Sequence, residues 1–383
     1  MNRLTIAKKM FLDALSKVMG AVDRKLVNPV LSHCLLVADS QSAKLVATDL
    51  ELQVSVEKNI DGFIYQDGHD AGNSTSFLEI TFPAKTVYDF CRALQSESIL
   101  ELEELPKSRL KIKTNSSSLE VSTFSPSQFP LIQRAARNDH RTRFQISRKK
   151  LKELLESIQY AIAISDVRYY LNGVFLQLSR TELTCVATDG HRLSMVKAPV
   201  QVLSFDEELK GVIIPRRAIL ELVRLLDQSD DLIDFGITKD IADVRFEDLT
   251  ITFKLIEGKF PDYKRVIPKK LKYRAIFDRD DLKSALATVA PILSNKDRGV
   301  VFHFSGNSVK LHATNSDQQE VAVLLKTDQV FDEMKIALNS SYVADFIAHI
   351  KGKLLTMEYL DPSVGVVFSQ DSSGCYVVMP LIL

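Results

Sequence analysis

The 383-residue chain has no tryptophan and only four cysteines, and neither sign of charge is in excess. Cys34, Cys91, Cys185 and Cys375 lie far apart, each in an apolar stretch such as LSHCLLV or LTCVATD. There is no CxxC pair and no Cys/His cluster, which argues against structural zinc and for buried, reduced thiols. Lys plus Arg and Asp plus Glu number 49 each, so net charge says nothing of a nucleic-acid partner. Any basic surface must come from placement. No apolar run reaches the length of a membrane span, and MNRLTIAKKMFLDALSK has neither the apolar core nor the cleavage site of a secretory signal. These absences point to a cytoplasmic protein. Walker A, GxGxxG, HExxH and GxSxG patterns are missing too. No catalytic residue, metal or cofactor is expected.

What is present is repetition. The chain is too long for a single hydrophobic core and suits two to three domains. Four landmarks recur in the same order. The first is an amphipathic helix: AKKMFLDALSKVM from Ala7, SRKKLKELLESI from Ser147 and DRDDLKSALATV from Asp278. Apolar residues fall at i, i+4 and i+7 in each: Phe11, Leu15, Val18; Leu151, Leu155, Ile158; Leu282, Leu286, Val289. The second is a strand ending in ATD or ATN, at LVATDLE, CVATDGH and LHATNSD. The third is a short strand entering a second helix, with Pro83 and Pro215 suited to a first helical turn and Ser340 and Ser341 to a cap. The fourth is a proline-bearing segment: SQFPLI, GKFPDY and VVMPLI. The period is roughly 130 residues, a domain rather than a solenoid unit. Alternating runs such as LKIKTNSSSLEVSTF predict half-buried antiparallel strands. The expectation is three copies of one α+β domain, at 1–140, 141–270 and 271–383, each with two helices packed on antiparallel sheet. Basic linkers are expected at Gln133 to Arg143 and Pro268 to Arg274.

Two such chains would supply twelve helices. Lining one closed wall at ~10 Å each, they give a circumference of ~120 Å and a hole of roughly 28 Å, which clears a DNA duplex. The helices offer cations to such a wall, among them Lys8, Lys9, Lys17, Lys149, Arg148, Arg216, Arg217, Arg224 and Lys351, interrupted by acids such as Asp13, Glu153 and Asp345. Phosphate attraction independent of sequence needs nothing more specific.

Asp49 and Asp189 invite a metal-dependent hydrolase reading, but the third copy carries Asn315, and a strand-end turn explains all three. His191 lacks an evident nucleophile or orienting acid. A DNA-binding adaptor built from repeated domains is the other alternative that the residues leave open.

The central third contains DVRYYLNG, VATDGHRL and EGKFPDYKRVIP, and the chain ends YVVMPLIL. With LVATDLE and the ILSN segment at Ile292, these resemble, in order and over the full chain, the signature segments of the beta subunit of bacterial DNA polymerase III, the sliding clamps. That resemblance implies a non-catalytic, homodimeric head-to-tail ring of three DNA-clamp domains per chain, a processivity factor that encircles duplex DNA. An ATP-using clamp loader opens it. The polymerase III catalytic subunit, other polymerases and repair proteins dock through a QLxLF-type motif.

The docking residues carried over by the resemblance are Arg168, Tyr170 and Leu171; Thr188, Gly190, His191, Arg192 and Leu193; Pro261, Arg265 and Val266; Asn339 and Tyr342; and Val364, Val377, Met379 and Pro380. Leu171, Leu193, Val266, Val364 and Met379 would form an apolar slot, with Arg168, Arg192, Arg265, His191 and Asn339 at its rim. DNA contacts are expected at Arg24, Lys25, Lys149, Tyr169 and Arg216, and the dimer seam at Ile292 and Leu293. The tail departs from the pattern: MPLIL stands where many relatives have a basic residue before the last leucine, making that end of the slot more apolar.

Overall fold

The structure is a computed structural model that describes residues 2–23, 28–39, 41–60, 64–66, 78–133, 142–207, 209, 211–294 and 298–382. The first third runs β1 (Asn2–Ala7), α1 (Lys8–Val18), β2 (His33–Ala38), β3 (Ser42–Thr48), β4 (Leu52–Asn59), β5 (Ile64–Gln66), β6 (Leu78–Pro83), α2 (Ala84–Ala93), β7 (Ile99–Leu105), β8 (Arg109–Lys113) and β9 (Ser118–Ser122). The central third runs β10 (Thr142–Ser147), α3 (Arg148–Glu156), β11 (Gly173–Leu178), β12 (Glu182–Thr188), β13 (Arg192–Pro199), β14 (Gln201–Ser204), β15 (Val212–Pro215), α4 (Arg216–Leu225), β16 (Leu232–Ile237), β17 (Ile241–Phe246) and β18 (Leu249–Lys254). The last third has β19 (Tyr273–Asp278), α5 (Arg279–Val289), β20 (Gly299–Thr314), β21 (Glu320–Asn339), α6 (Ser340–His349), β22 (Leu354–Tyr359), β23 (Val366–Ser369) and β24 (Gly374–Val378). Among the described residues each third is therefore an α+β repeat with two α-helices.

The i, i+4, i+7 residues of α1 and α5, and their counterparts in and just beyond α3, are all buried. Each such side chain contributes about 1.5–3 kcal/mol when fully buried. The helix starts differ in detail from expectation. Pro83 and Pro215 end their strands, and α2 and α4 begin one residue later. Asn339, not Ser340 or Ser341, caps α6: its side-chain oxygen accepts the Ser341 N–H at 3.1 Å.

The chain forms two compact units, Met1–Arg148 with Val202–Asp206 and Arg224–Leu255, and Lys149–Gln201 with Glu207–Val223 and Ile256–Leu383. The first unit holds a five-stranded sheet, β5-β1-β7-β8-β9, and a nine-stranded sheet, β14-β10-β16-β17-β18-β4-β3-β2-β6. The second holds an eight-stranded sheet, β15-β11-β12-β13-β24-β23-β22-β19, and the β20–β21 hairpin. Two of these sheets cross from one third into the next. β4 pairs antiparallel with β18 (Leu52↔Phe253 to Val56↔Leu249). β13 pairs antiparallel with β24 (Arg192↔Val378 to Val196↔Gly374). In both joints the strand after the ATD turn of one third pairs with the last strand of the following third.

The ATD turn is repeated bond for bond in the first two thirds. Thr48 Oγ1 donates to Leu52 O at 2.9 Å and Asp49 Oδ1 accepts the Leu52 N–H at 2.7 Å. Thr188 Oγ1 donates to Arg192 O at 2.6 Å and Asp189 Oδ1 accepts the Arg192 N–H at 3.0 Å. Asn315 Oδ1 accepts the Asp317 and Gln319 N–H groups. These aspartates fasten turns, as the sequence reading preferred. Cys34, Cys91 and Cys185 are buried and Cys375 is half-buried, all as free thiols. Burial pushes the thiol of Cys91 up to about 12 and that of Cys375 to about 11.

One buried group makes stability depend on pH. His33 is 6% exposed. It lies 4.6 Å from the Phe124 ring, and its Nδ1 has no partner among the described residues. Burial lowers its pKa from 6.5 to about 4. The unfolded chain then binds the proton more readily than the fold. Its stabilising contribution is complete above the unfolded pKa of 6.5 and is lost as pH falls to about 4. Up to about 3 kcal/mol is at stake. Urea unfolding of the wild type and His33→Gln should show stability curves that converge over that window. Parallel curves would remove His33 as the cause.

Candidate peptide-docking site

The central docking residues gather in the second compact unit around the Thr188–Arg192 turn. Thr188 closes β12 and Arg192 opens β13, so the five residues Thr188 to Arg192 set the local geometry. Gly190 has φ +91°, and a Cβ there would stand 3.0 Å from the Arg168 guanidinium. Glycine is thus favoured by the left-handed backbone, and a side chain there would also push against the arginine lying over it. Arg168 is fixed by a two-pronged pair to Asp166 (Nε–Oδ1 3.0 Å, Nη2–Oδ2 2.8 Å) and donates to Asp189 O at 3.3 Å. The hydrogen bonds from Arg168 hold the Asp166 carboxyl down at about 2.

Arg192 is tied inside the protein. Nε pairs with Asp189 Oδ2 at 3.0 Å, Nη1 with Asp345 Oδ2 at 2.5 Å, and Nη2 donates to Tyr160 O at 2.5 Å. Its guanidinium carbon lies 4.3 Å from the Tyr342 ring centre. Burial opposes its charge, but the Tyr376 hydroxyl, Asp345 and Asp189 outweigh that and raise its pKa above the ordinary arginine value. Arg192, expected at the rim, thus has its guanidinium bonded to groups of the protein itself. Arg192 links the turn of the central third to α6 of the last.

Beneath the turn is an apolar floor. Leu193 and Val377 face each other across the β13–β24 ladder. With Leu171 they belong to one buried cluster that includes Val186, Phe260, Tyr263 and Val367, and Tyr170 packs against it. Met379 leaves β24 alongside the turn, its N–H donating to His191 O at 3.0 Å. A Cβ on Gly365 would meet Val377 at 3.0 Å and the Met379 sulfur at 3.3 Å, so Gly365 makes room for both side chains. Met379 is still 40% exposed. A buried aliphatic floor with an exposed, flexible thioether is suited to accept varied apolar anchors.

Other expected members sit further out. Pro261 lines a separate groove with Phe175, Gly211 and Gly258. Arg265 is exposed and pairs with Asp262. Val266 is 45% exposed, between Tyr263 and Ile267, which do join the cluster. Val364 is half-buried beside Gly365. Asn339 is engaged as the α6 cap and Tyr342 as the platform under Arg192. Pro380 leads to Leu381, whose N–H donates to Ala337 O at 2.8 Å. Asp345, Tyr160 and Asp166 were not expected; only Asp189, three residues before Arg192, had a sequence signal in its spacing.

The DNA candidates divide. Arg24 and Lys25 lie outside the described residues. Lys149 is exposed on α3, and Tyr169 is 57% exposed, edge-on to Tyr170. Arg216 is half-buried at the start of α4, one Nη shielded from solvent. Three cations counted toward a basic wall are committed elsewhere. Lys8 is buried and donates to Leu94 O. Arg148 pairs with Asp227, Asp231 and Glu247. Arg224 donates to the Ser16 and Lys17 carbonyls at the end of α1. Ile292 and Leu293 are half-buried against the last third's core. Among the described residues no group of acids, histidines and cysteines is placed to hold a metal, and no helix is long and apolar enough to cross a membrane.

Three family models match the chain: the N-terminal, central and C-terminal domains of the DNA polymerase III beta subunit, at residues 2–133, 145–262 and 264–382. The chain is 32% identical to the beta sliding clamp of Pseudomonas aeruginosa over 379 residues, covering 98% of this chain and 99% of that one. It is 31% identical to the beta sliding clamp of Escherichia coli K12 over 384 residues, covering 99% of each. A crystal structure of the Pseudomonas aeruginosa clamp bound to griselimycin superposes with a TM-score of 0.90 at 30% identity, covering 100% of both chains. The chain belongs to the DNA polymerase III beta subunit family, the sliding clamps, non-catalytic processivity factors of DNA polymerase.

Proposed function

We propose that this clamp works as a head-to-tail homodimeric ring, free in the cytoplasm, that surrounds duplex DNA and holds replication and repair proteins by a short docking motif. The pairing rule of the two internal joints carries the ring. In both, the strand after the ATD turn of one third joins the last strand of the next. Applied once more, the first half of β21 from one copy joins β9 of another. β9 is an edge of its sheet, and among the described residues β21 pairs with β20 and, on its other side, meets only the single bridge of Leu381 to Ala337, which leaves its first half open. Edge strands of this kind are templates for further pairing. Two such seams close six domains, taken as 1–140, 141–270 and 271–383 in each chain, and Ile292 and Leu293 pack against the same core as Val321, Val323 and Leu325 of β21. A stable seam should bury ~1,200–2,000 Å².

Lys149 and Tyr169, with Arg24, Lys25 and Arg216, are the proposed DNA contacts, acting on phosphates without sequence preference. The docking site is the floor of Leu171, Leu193 and Val377 with Met379, Val266 and Val364 beside it. Arg168, His191, Arg265 and Asn339 form the polar margin, and Tyr170, Thr188, Gly190, Arg192, Pro261, Tyr342 and Pro380 shape it. The proposed occupants are QLxLF-type motifs of the polymerase III catalytic subunit, the clamp loader, other polymerases and repair proteins. The griselimycin-bound relative supports a ligand site on this fold.

Sedimentation equilibrium should return twice the 43.0 kDa of one chain. Clamp loaded on nicked circular DNA should stay through gel filtration and leave after one restriction cut. Retention on the linear product, or a single-chain mass, would defeat the ring.

A further inference from the structure

The β20–β21 hairpin has two unlike faces. One carries Val300, Phe302, Phe304, Leu311, Ile336 and Leu338 into the core of the last third. The alternate residues face outward, and there a groove of about 830 Å³ is lined by Arg298, His303, Lys310, His312 and Lys335, with Leu381 and Ile382 also contributing. Among the described residues no carboxylate lines it, although the whole chain is neutral. Two acids flank the histidines: Glu333 lies 3.4 Å from His303 and Glu320 lies 3.7 Å from His312. Lys310 and Lys335 are exposed and have no ion-pair partner among the described residues. Like charges gathered on one sheet face repel, which favours an anionic occupant.

The groove is continuous with the proposed docking patch. Met379 belongs to the patch, and two residues on Leu381 is bonded to Ala337 in the groove wall. We propose that this groove is a second docking subsite, one that takes acidic residues flanking the motif of a bound partner. The inference rests on the docking reading above and adds a basis for choosing among partners that share a motif. An acidic peptide fits better than single-stranded nucleic acid, because no Phe, Tyr or Trp among the described residues lines the groove to stack a base. The tail residues Leu381 and Ile382 supply an apolar lip where the extension leaves the slot.

The test uses the full chain and fluorescent peptides: a QLxLF-type motif alone, the motif with four glutamates on its N-terminal or its C-terminal side, and glutamine counterparts of both. One acidic extension should tighten binding about five- to tenfold at low salt, and added salt should erase the gain. The double variant Lys310→Gln/Lys335→Gln should bind the bare motif as the wild type does and lose the gain. Equal affinity for glutamate and glutamine extensions on both sides overturns the subsite while leaving the docking reading intact. A gain that survives the double variant does the same. Failure of the bare motif to bind defeats the docking reading and this inference with it. Oligo(dT) binding that depends on the two lysines and exceeds that of the acidic peptide would assign the groove to nucleic acid instead.

Discussion

Arg192→Ala should lower the free energy of unfolding by about 2–4 kcal/mol, the range for breaking a shielded ion pair and leaving its partners unmatched. The argument is geometric. The side chain is 10% exposed, and its three polar directions go to Asp189, Asp345 and the Tyr160 carbonyl. Truncation strands a part-buried carbonyl and removes the cation from Tyr342. Asp345 is 42% exposed, so water recovers part of the loss and the upper end of the range is a ceiling. Arg192→Lys should restore little, since one ammonium cannot reproduce a planar fork with three separate partners. Urea unfolding gives the value directly. A double-mutant cycle with Asp345→Ala should show coupling of at least about 1 kcal/mol. A change below about 0.5 kcal/mol in Arg192→Ala would mean the network behaves as a surface pair.

Met379→Ala should act on binding and hardly on folding. The side chain is 40% exposed, so little burial is lost, but its sulfur stands over Gly365 beside Val377, where an apolar anchor would rest. A short peptide with Leu and Phe anchors gains ~2–3 kcal/mol per anchor and loses much of it to ordering, so micromolar affinity is expected. Truncating a central contact should weaken that by roughly 10- to 30-fold. Met379→Leu, near in volume, should stay within a few-fold of wild type. Fluorescence anisotropy with the motif peptide and a peptide with both anchors changed to Ala provides the comparison. Wild-type affinity in Met379→Ala, or binding of the Ala peptide, would place the slot elsewhere.

Periodicity made the helices legible, because an amphipathic face must bury its apolar stripe wherever it packs. Phe11, Leu15 and Val18 are buried as their spacing requires. The ATD turns were legible because Thr and Asp bond to backbone within four residues. The joints were not. β4 meets β18 across almost 200 residues of chain, and nothing local in QVSVE or TITFK names the other as partner. The same limit applies at the site. Leu171, Leu193 and Val377 converge as the resemblance implied, but Arg192 was expected at the rim and is instead held by Asp345, over 150 residues away. Lys8 and Arg148 illustrate the converse: their spacing fits a basic wall, while their partners are carbonyls and carboxylates brought in by the fold.

The joint between β13 and β24 repeats the joint between β4 and β18, yet in the proposed ring the third kind would differ in one respect. The internal joints connect segments of a single polymer. If one parts, its strands remain tethered at a high effective concentration and rejoin at once. The seam between copies has no tether and must meet the full translational cost of association. Equal strand pairing at all six joints would therefore not give equal lifetimes. A loader would need no specially weak seam to choose from, because chain connectivity alone makes the two intermolecular joints the ones that stay open.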